Sequence, residues 1–173
     1  MFEGAKRRGM SFAREKEQYN KINVMNTLEL TEPEMPATKP ATRSKDVKDV
    51  VVLPYGLLGF ERVKNYCLLT KAEEAPFLWF QMLQDPKHSF LVVPPGAAIP
   101  DYQPDLDNQD VEFLELEDPS DAFILNIVTL RSGGQATINL KGPIVINRRT
   151  WIGKQVIPVN AAQYPTRHPL PVS

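Results

Sequence analysis

Residues 122–140 read AFILNIVTLRSGGQATINL, and this stretch indicates the fold class. Runs rich in Ile, Val, Leu and Thr stand on either side of Ser132-Gly133-Gly134-Gln135, and such runs are typical of β-strands. Paired glycines tolerate the positive φ angles of the tight turns that join antiparallel strands. The stretch therefore predicts a β-hairpin.

Short apolar runs of the same kind continue on both sides of this hairpin, separated by turn residues such as Asp85-Pro86. The candidate strands are residues 47–53, 65–70, 77–83, 89–94, 122–130, 136–140, 143–147 and 154–159. A parallel sheet would need helices between its strands, and this close spacing favours an antiparallel arrangement. We therefore predict an all-β fold, a small, sandwich-like antiparallel β-barrel. At most one short helix is expected, near residues 106–114 with Asp107 as its N-cap.

Two of the candidate strands are apolar on both faces. In FLWFQML (77–83), Trp79 and Phe80 would point to opposite sides of the sheet although both are large and apolar. Residues 122–130 show the same property. Such strands suit either the middle of a compact barrel or a surface that a partner covers, and the sequence leaves both interpretations open.

The first 45 residues differ in composition from the rest of the chain. They hold nine Lys and Arg against six Asp and Glu, and three prolines lie among Thr, Ala and Lys in TEPEMPATKPATRSK. Such a segment buries too little apolar surface to offset its ordering entropy. We predict a mostly disordered basic arm at 1–45, compatible with a transient helix over 12–22 and a short strand at 22–30, followed by a β-domain at 46–173.

Acidic residues concentrate in the middle of the chain. No Lys or Arg occurs between Lys87 and Arg131. The acidic residues of this interval are Asp101, Asp105, Asp107, Asp110, Glu112, Glu115, Glu117, Asp118 and Asp121. Such a run is either a solvated face or an interaction surface.

Motifs for catalysis or metal binding are lacking in the sequence. Cys67 is the single cysteine, and the two histidines, His88 and His168, lie eighty residues apart. No glycine-rich phosphate loop or nucleophile elbow is present. We expect no enzymatic activity, cofactor or metal. With no apolar run of the roughly 18 residues that a membrane span requires, no secretory signal and no overall basic charge, we expect a cytoplasmic protein that binds neither a membrane nor a specific nucleic acid.

Large apolar residues near turns suggest a binding role instead. In LPYGLLGFE (53–61), Leu57, Leu58 and Phe60 stand where turns usually carry small or polar residues. Aromatic residues of this kind dominate interface energetics when they lie outside a core. An alternative is a ligand-binding barrel with Trp79 and Tyr102 lining an apolar pocket.

Taken together, several blocks resemble the flagellar assembly factor family FliW. They cover about residues 50–170, in order and at compatible spacing, and end in a late Tyr164 and His168-Pro169-Leu170. The blocks are GLLGFE (56–61), PFLWFQMLQDP (76–86), SFLVVPP (89–95), NIVTL (126–130), INLKGPIVIN (138–147) and GKQVI (153–157). The chain departs from the family in its long basic arm and in a first strand that is hard to place within 22–53.

The resemblance implies a small β-barrel without enzymatic activity that binds two proteins. One is flagellin, and the other is CsrA, a dimeric RNA-binding protein that represses flagellin translation and that FliW antagonises. Because CsrA binds RNA, its surface is expected to be basic, and the acidic run would accelerate its encounter.

These considerations yield a set of candidate contact residues. Phe60 is expected to fold inward as a plug because Gly59 leaves it free to turn, whereas Leu57 and Leu58 are expected at the surface. The full set is Leu57, Leu58, Phe60, Glu61, Trp79, Phe80, Gln81, Glu115 and Glu117.

Overall fold

A computed structural model describes residues 50–170 of the 173-residue chain. The predicted arm at 1–45, the helix at 12–22 and the strand at 22–30 lie outside the described residues. The start of the candidate strand at 47–53 lies outside them as well.

Within residues 50–170 the chain forms nine strands and one short α-helix, joined by turns and single 3-10 turns. The elements are β1 (Val50–Val52), β2 (Asn65–Thr70), β3 (Leu78–Met82), β4 (Ser89–Val93), α1 (Asn108–Phe113), β5 (Ala122–Leu130), β6 (Ala136–Ile138), β7 (Ile144–Asn147), β8 (Gly153–Gln155) and β9 (His168–Leu170). All strand pairs are antiparallel. The predicted all-β antiparallel class is therefore confirmed.

The sheet branches at its longest strand, β5. Its order is β1-β2-β3-β4-β5-β6-β9, and β7 pairs with the first half of β5 and with β8. Among residues 50–170 the sheet does not close into a continuous barrel. One isolated parallel bridge joins Val52 to Ile152, and the Val52 N–H donates to the Trp151 carbonyl at 2.9 Å.

The hairpin predicted at 122–140 is present as β5 and β6. Gly133 and Gly134 have φ angles of 84° and 75°, and the Arg131 N–H donates across the turn to the Gln135 carbonyl at 2.7 Å. These positive angles explain why two glycines occupy the turn.

The predicted helix is also present. Asp107 lies at its N-cap, where its carboxylate accepts the Asp110 N–H at 2.9 Å. Strand β9 was not predicted, because it is only three residues long and contains Pro169. The candidate strand at 154–159 ends early, at Gln155, because the Val159 N–H donates to the Asp105 carbonyl rather than to a strand.

The two faces of the sheet pack against different clusters. On the inner face, Tyr66 and Phe80 stack with their centroids 4.4 Å apart, and Leu125 and Ile146 pack with them. On the other face, Val128 belongs to a second cluster. Strand β5 is therefore apolar on both faces because the protein covers both.

Tyr102 is buried in the second cluster. Its hydroxyl donates to the Leu140 carbonyl at 2.8 Å and lies 3.5 Å from the Asn126 amide nitrogen, which donates to it. Burial raises the pKa of Tyr102 to about 12, so the buried hydroxyl stays protonated at neutral pH. None of the helices within residues 50–170 is long and apolar enough to cross a membrane.

Candidate partner-binding surface

The loop from Leu53 to Lys64 folds back tightly on itself. The Leu53 N–H donates to the Lys64 carbonyl at 2.7 Å and closes its base. At Gly56 φ is +71°, and an added Cβ would lie 2.7 Å from both the Phe60 carbonyl oxygen and the Glu61 Cα. Only glycine fits this position without displacing the backbone.

Leu57 is the residue that fills the core beneath this loop. It is 1% exposed and belongs to the inner cluster with Leu53 and Val51. The Phe60 N–H donates to its carbonyl at 2.8 Å. The expectation that Leu57 would lie at the surface is therefore wrong, because the turn at Gly56 directs it into the core.

Leu58 points the other way and is 81% exposed. Its N–H donates to Gln155 Oε1 at 2.9 Å, and Gln155 Nε2 donates to the Gly142 carbonyl at 3.2 Å. On its other side, the Gly59 N–H donates to the Glu61 carboxylate at 2.7 Å, which holds the pKa of Glu61 below its usual value. Hydrogen bonds from two consecutive backbone N–H groups therefore fix the backbone at the tip of the loop, where the Leu58 side chain is exposed.

Phe60 does not form the predicted inward plug. It is 42% exposed and meets Phe90 edge to face, with ring centroids 5.1 Å apart. Leu57 occupies the core position instead. Phe60 covers the rim of the inner face and leaves part of its ring at the surface.

The start of the loop is attached to the helix. The rings of Tyr55 and Phe113 lie 5.1 Å apart. Lys154 Nζ lies 5.5 Å from each ring centroid and forms an ion pair with Asp110. Together with Gln155, strand β8 therefore contacts the loop at two adjacent residues.

Strand β3 separates its two aromatic residues by alternation. Phe80 is buried in the inner cluster, so the expectation that it would contact a partner is wrong for this folded state. Trp79 lies on the outer face, half-buried, and its indole N–H donates to Glu74 Oε2 at 2.5 Å. Gln81 lies on the same face and donates to the Pro86 carbonyl at 2.7 Å.

The loop and Trp79 do not adjoin each other. Phe60 contacts Phe90, whose ring faces inward, whereas Trp79 faces outward. Trp79 pairs with Leu69, four residues along β2 from the end that meets the loop, or about 13 Å at 3.3 Å per residue. There are thus two apolar surfaces. We call Tyr55, Leu58 and Phe60 the loop surface, and Val50, Val52, Leu69 and Trp79 the outer face.

The acidic run is partly neutralised by a residue distant in sequence. Arg149, in the turn between β7 and β8, lies 3.3 Å from the Glu117 carboxylate and 3.1 Å from that of Asp121. The pKa of Asp121 is lowered, first by the Asp118 N–H and further by Arg149. The Glu115 carbonyl accepts Arg149 Nη2 at 2.9 Å, and the Glu115 side chain is exposed.

Within residues 50–170, the side chains considered for a metal site or an apolar ligand pocket lie apart from one another. Among residues 50–170, no three His, Cys, Asp or Glu side chains are placed to hold a metal ion. His88 pairs with Asp85 at 2.7 Å on the surface. Trp79 and Tyr102 were considered above as the lining of a pocket, but they lie in different surroundings. Trp79 donates a hydrogen bond to Glu74 on the outer face, whereas Tyr102 is buried in the second cluster and donates to the Leu140 carbonyl.

Comparison with known proteins gives a consistent picture. The FliW protein family matches residues 34–170. The flagellar assembly factor FliW of Syntrophus aciditrophicus is 39% identical over 121 residues, which cover 69% of this chain and 76% of that protein. That of Moorella thermoacetica is 37% identical over 124 residues, covering 70% and 78%. A crystal structure of the flagellar assembly factor FliW matches with a TM-score of 0.65 and 34% identity, covering 70% of this chain and 84% of the other.

Proposed function

The chain belongs to the FliW family of flagellar assembly factors, and from this premise we propose that it is a non-enzymatic, cytoplasmic regulator that binds flagellin and antagonises CsrA. When flagellin accumulates, it occupies the protein, and CsrA is free to repress flagellin translation. When flagellin is exported, the released protein binds CsrA and relieves the repression.

The observation that carries this proposal is the fixed exposure of Leu58. A loop backbone that is already held in place loses little conformational entropy on binding, so the exposed Leu58 side chain is carried in a position from which it can serve as an apolar anchor. Flagellin ends in amphipathic helical segments that are unpaired before assembly. A helix of this kind requires an apolar surface with a few large anchors.

The outer face supplies a second apolar surface for a partner. Val50 and Val52 are exposed there, and Trp79 and Leu69 are partly exposed beside them. Glu115 and Glu117 carry exposed carboxylates on another part of the molecule. We assign to these two residues a role in accelerating encounter with CsrA, since complementary charge acts mainly on the association rate.

A switch between two partners requires that each one weakens the binding of the other. This coupling is reciprocal whether the two sites overlap or communicate at a distance. Simultaneous binding of both partners at full strength is therefore incompatible with the proposed function.

Titrations with purified flagellin and purified CsrA test the proposal. Each is expected to bind the full chain alone, and saturation with one is expected to weaken the other about tenfold or more. Binding of neither protein, or unweakened binding of both together, would overturn it. Charge reversal at Glu115 and Glu117 should slow CsrA association and leave flagellin association unchanged.

The domain boundary remains a proposal as well. We propose that residues 46–173 fold without the basic arm at 1–45. The family match begins at residue 34, so chains that begin at residues 34 and 46 form a matched pair. Equal melting temperatures would support the boundary, whereas a folded longer chain and an unfolded shorter one would place it between the two.

A further inference from the structure

Two consecutive arginines begin the turn between β7 and β8, and they differ in their partners. Arg149 contacts the carboxylates of Glu117 and Asp121 and donates to the Glu115 carbonyl. Arg148 forms no ion pair and donates no side-chain hydrogen bond within residues 50–170. The two carboxylates that reach this turn are therefore bound by Arg149, and Arg148 has no anionic partner in the described part of the chain.

The Arg148 side chain lies against an aromatic ring. Arg148 follows Ile146 by two residues, and Ile146 is the cross-strand partner of Phe123. The Arg148 Cζ atom lies 4.5 Å from the centroid of the Phe123 ring, an arrangement that the quadrupole of the ring favours. Arg148 remains exposed at the surface, but partial burial lowers its pKa. A cation that has lost some of its water without gaining a counter-charge gains more from a new anionic partner than a fully hydrated cation does.

The backbone of this turn is held in one conformation. The Asn147 side chain is buried, and its Oδ1 accepts the Arg149 N–H at 2.7 Å. Trp151 has a φ of +58°, in a region that bulky residues rarely adopt. Its N–H donates to the Asn147 carbonyl at 2.8 Å, and its carbonyl accepts the Val52 N–H at 2.9 Å. Such backbone strain persists only where surrounding contacts determine the conformation, so Arg148 projects from a fixed backbone.

The surroundings of Arg148 favour a single carboxylate over a polyanion. Glu115, Glu117 and Asp121 all contact this turn through Arg149, and their negative charge would repel a chain of phosphates. One guanidinium matches one carboxylate, because its N–H groups can donate two parallel hydrogen bonds to the two oxygens. Phe123 is half-buried, so the uncovered part of its ring can pack against an apolar side chain.

We propose that Arg148 and Phe123 form a binding site for an acidic peptide segment of a partner protein. An Asp or Glu side chain of that segment pairs with the guanidinium, and a neighbouring apolar side chain packs on the ring. Neither residue belongs to the loop surface, to the outer face or to the pair Glu115 and Glu117. The site is therefore additional to the contacts of the proposed function, and its test requires neither flagellin nor CsrA.

Two short synthetic peptides test the charge requirement. Both are acetylated and amidated and carry Leu on each side of a central residue, which is Glu in one peptide and Gln in the other. The Glu peptide is expected to bind the full chain about tenfold more tightly, because charged hydrogen bonds are stronger than neutral ones. It should also shift the NMR resonance of Arg148 Nε and leave that of Arg149 unchanged. Equal affinities, no binding of either peptide, or a shift at Arg149 alone would overturn the proposal.

Variants of the full chain test the location. Arg148→Gln is expected to abolish the preference for the Glu peptide. Arg148→Lys should bind the Glu peptide about threefold more weakly than the wild-type chain, because an ammonium group cannot form the paired hydrogen bonds. Arg131→Gln is the matched control, since Arg131 is exposed and forms no ion pair among residues 50–170. A preference that persists in Arg148→Gln would place the site elsewhere.

Further measurements distinguish other occupants of the site. Asp46 and Asp49 precede β1, whose Val52 N–H donates to the turn. Tighter peptide binding by a full chain with Asp46→Asn and Asp49→Asn would identify the chain's own segment as the occupant and contradict a partner protein, whereas unchanged affinity would support one. Sedimentation showing a dimer that Arg148→Gln dissociates would identify a second copy instead. Displacement of the Glu peptide by a short RNA oligonucleotide would contradict the preference for a single carboxylate.

Discussion

The loop at 53–64 and strand β3 each carry two consecutive large apolar residues that diverge, but different forces separate them. In β3, Trp79 and Phe80 point to opposite faces because successive side chains of a strand alternate. In the loop, Leu57 and Leu58 diverge because Gly56 turns the chain and Gln155 holds the Leu58 N–H. The strand depends on its own periodicity, whereas the loop depends on one special backbone angle and one distant side chain.

This difference predicts different responses to mutation. The exposed residue of the strand remains outward as long as the sheet pairs. The exposed residue of the loop remains outward only while its separate hydrogen bonds persist. Substitutions in the two regions should therefore distinguish effects on the stability of the fold from effects on the outward direction of the exposed side chain.

The largest effect is expected within β3. Phe80→Ala removes a ring that stacks on Tyr66 in the core, and loss of a buried Phe destabilises a domain by about 3–5 kcal/mol. Trp79→Ala, its matched neighbour, should destabilise by less than about 2 kcal/mol because the indole is only half-buried. Urea denaturation measures both values. Equal values would show that alternation does not govern this strand.

A smaller effect is expected from the loop glycines. Gly56→Ala places a methyl group 2.7 Å from backbone atoms and should destabilise the domain by about 2 kcal/mol or more. Gly59→Ala also has a positive φ, of +85°, but nothing lies within 4 Å of the added Cβ. Gly59→Ala should therefore destabilise the domain by about 1 kcal/mol. Denaturation curves for the two variants compare crowding with conformational strain, and a greater loss in Gly59→Ala would contradict the structure.

A third test removes the distant side chain and leaves the turn intact. Gln155→Met deletes the acceptor of the Leu58 N–H and should cost about 1 kcal/mol, while amide exchange at Leu58 accelerates. Gln81→Met is the matched control in β3, where the backbone ladder holds the chain. Hydrogen exchange resolved by residue measures the difference. An unchanged rate of amide exchange at Leu58 in Gln155→Met would show that the loop keeps its conformation without the hydrogen bond to Gln155.

The smallest effect concerns pH and is confined to the loop. The Gly59 N–H lowers the pKa of Glu61 from its ordinary value of 4.5. A carboxylate with a depressed folded pKa stabilises the fold above its unfolded pKa, and this contribution is lost as the pH falls through the folded pKa. The Gly59 amide resonance should therefore titrate with a midpoint below 4.5. Glu61→Gln should abolish that titration, and a midpoint at or above the ordinary value would contradict the hydrogen bond.

The strands and the hairpin were predictable because their signals are local. Apolar runs with Gly133-Gly134 between two of them specify β5 and β6, and Asp107 marks the start of α1. The direction of Leu57 and the partial exposure of Phe60 were not predictable, because a loop lacks periodicity. Gln155 and Arg149 were missed for a related reason: each contacts residues more than thirty positions away, and no short pattern reports such a contact.

Flagellin binding to Leu58→Asp tests the central claim that the fixed, exposed tip of the loop is a contact point for a partner. Calorimetric titration against the wild-type chain, Leu58→Asp and the control Leu130→Asp compares two exposed leucines in different regions. We expect Leu58→Asp to bind about tenfold or more weakly with an unchanged melting temperature, and Leu130→Asp to bind as the wild-type chain does. Equal flagellin affinity in all three folded chains would contradict the claim.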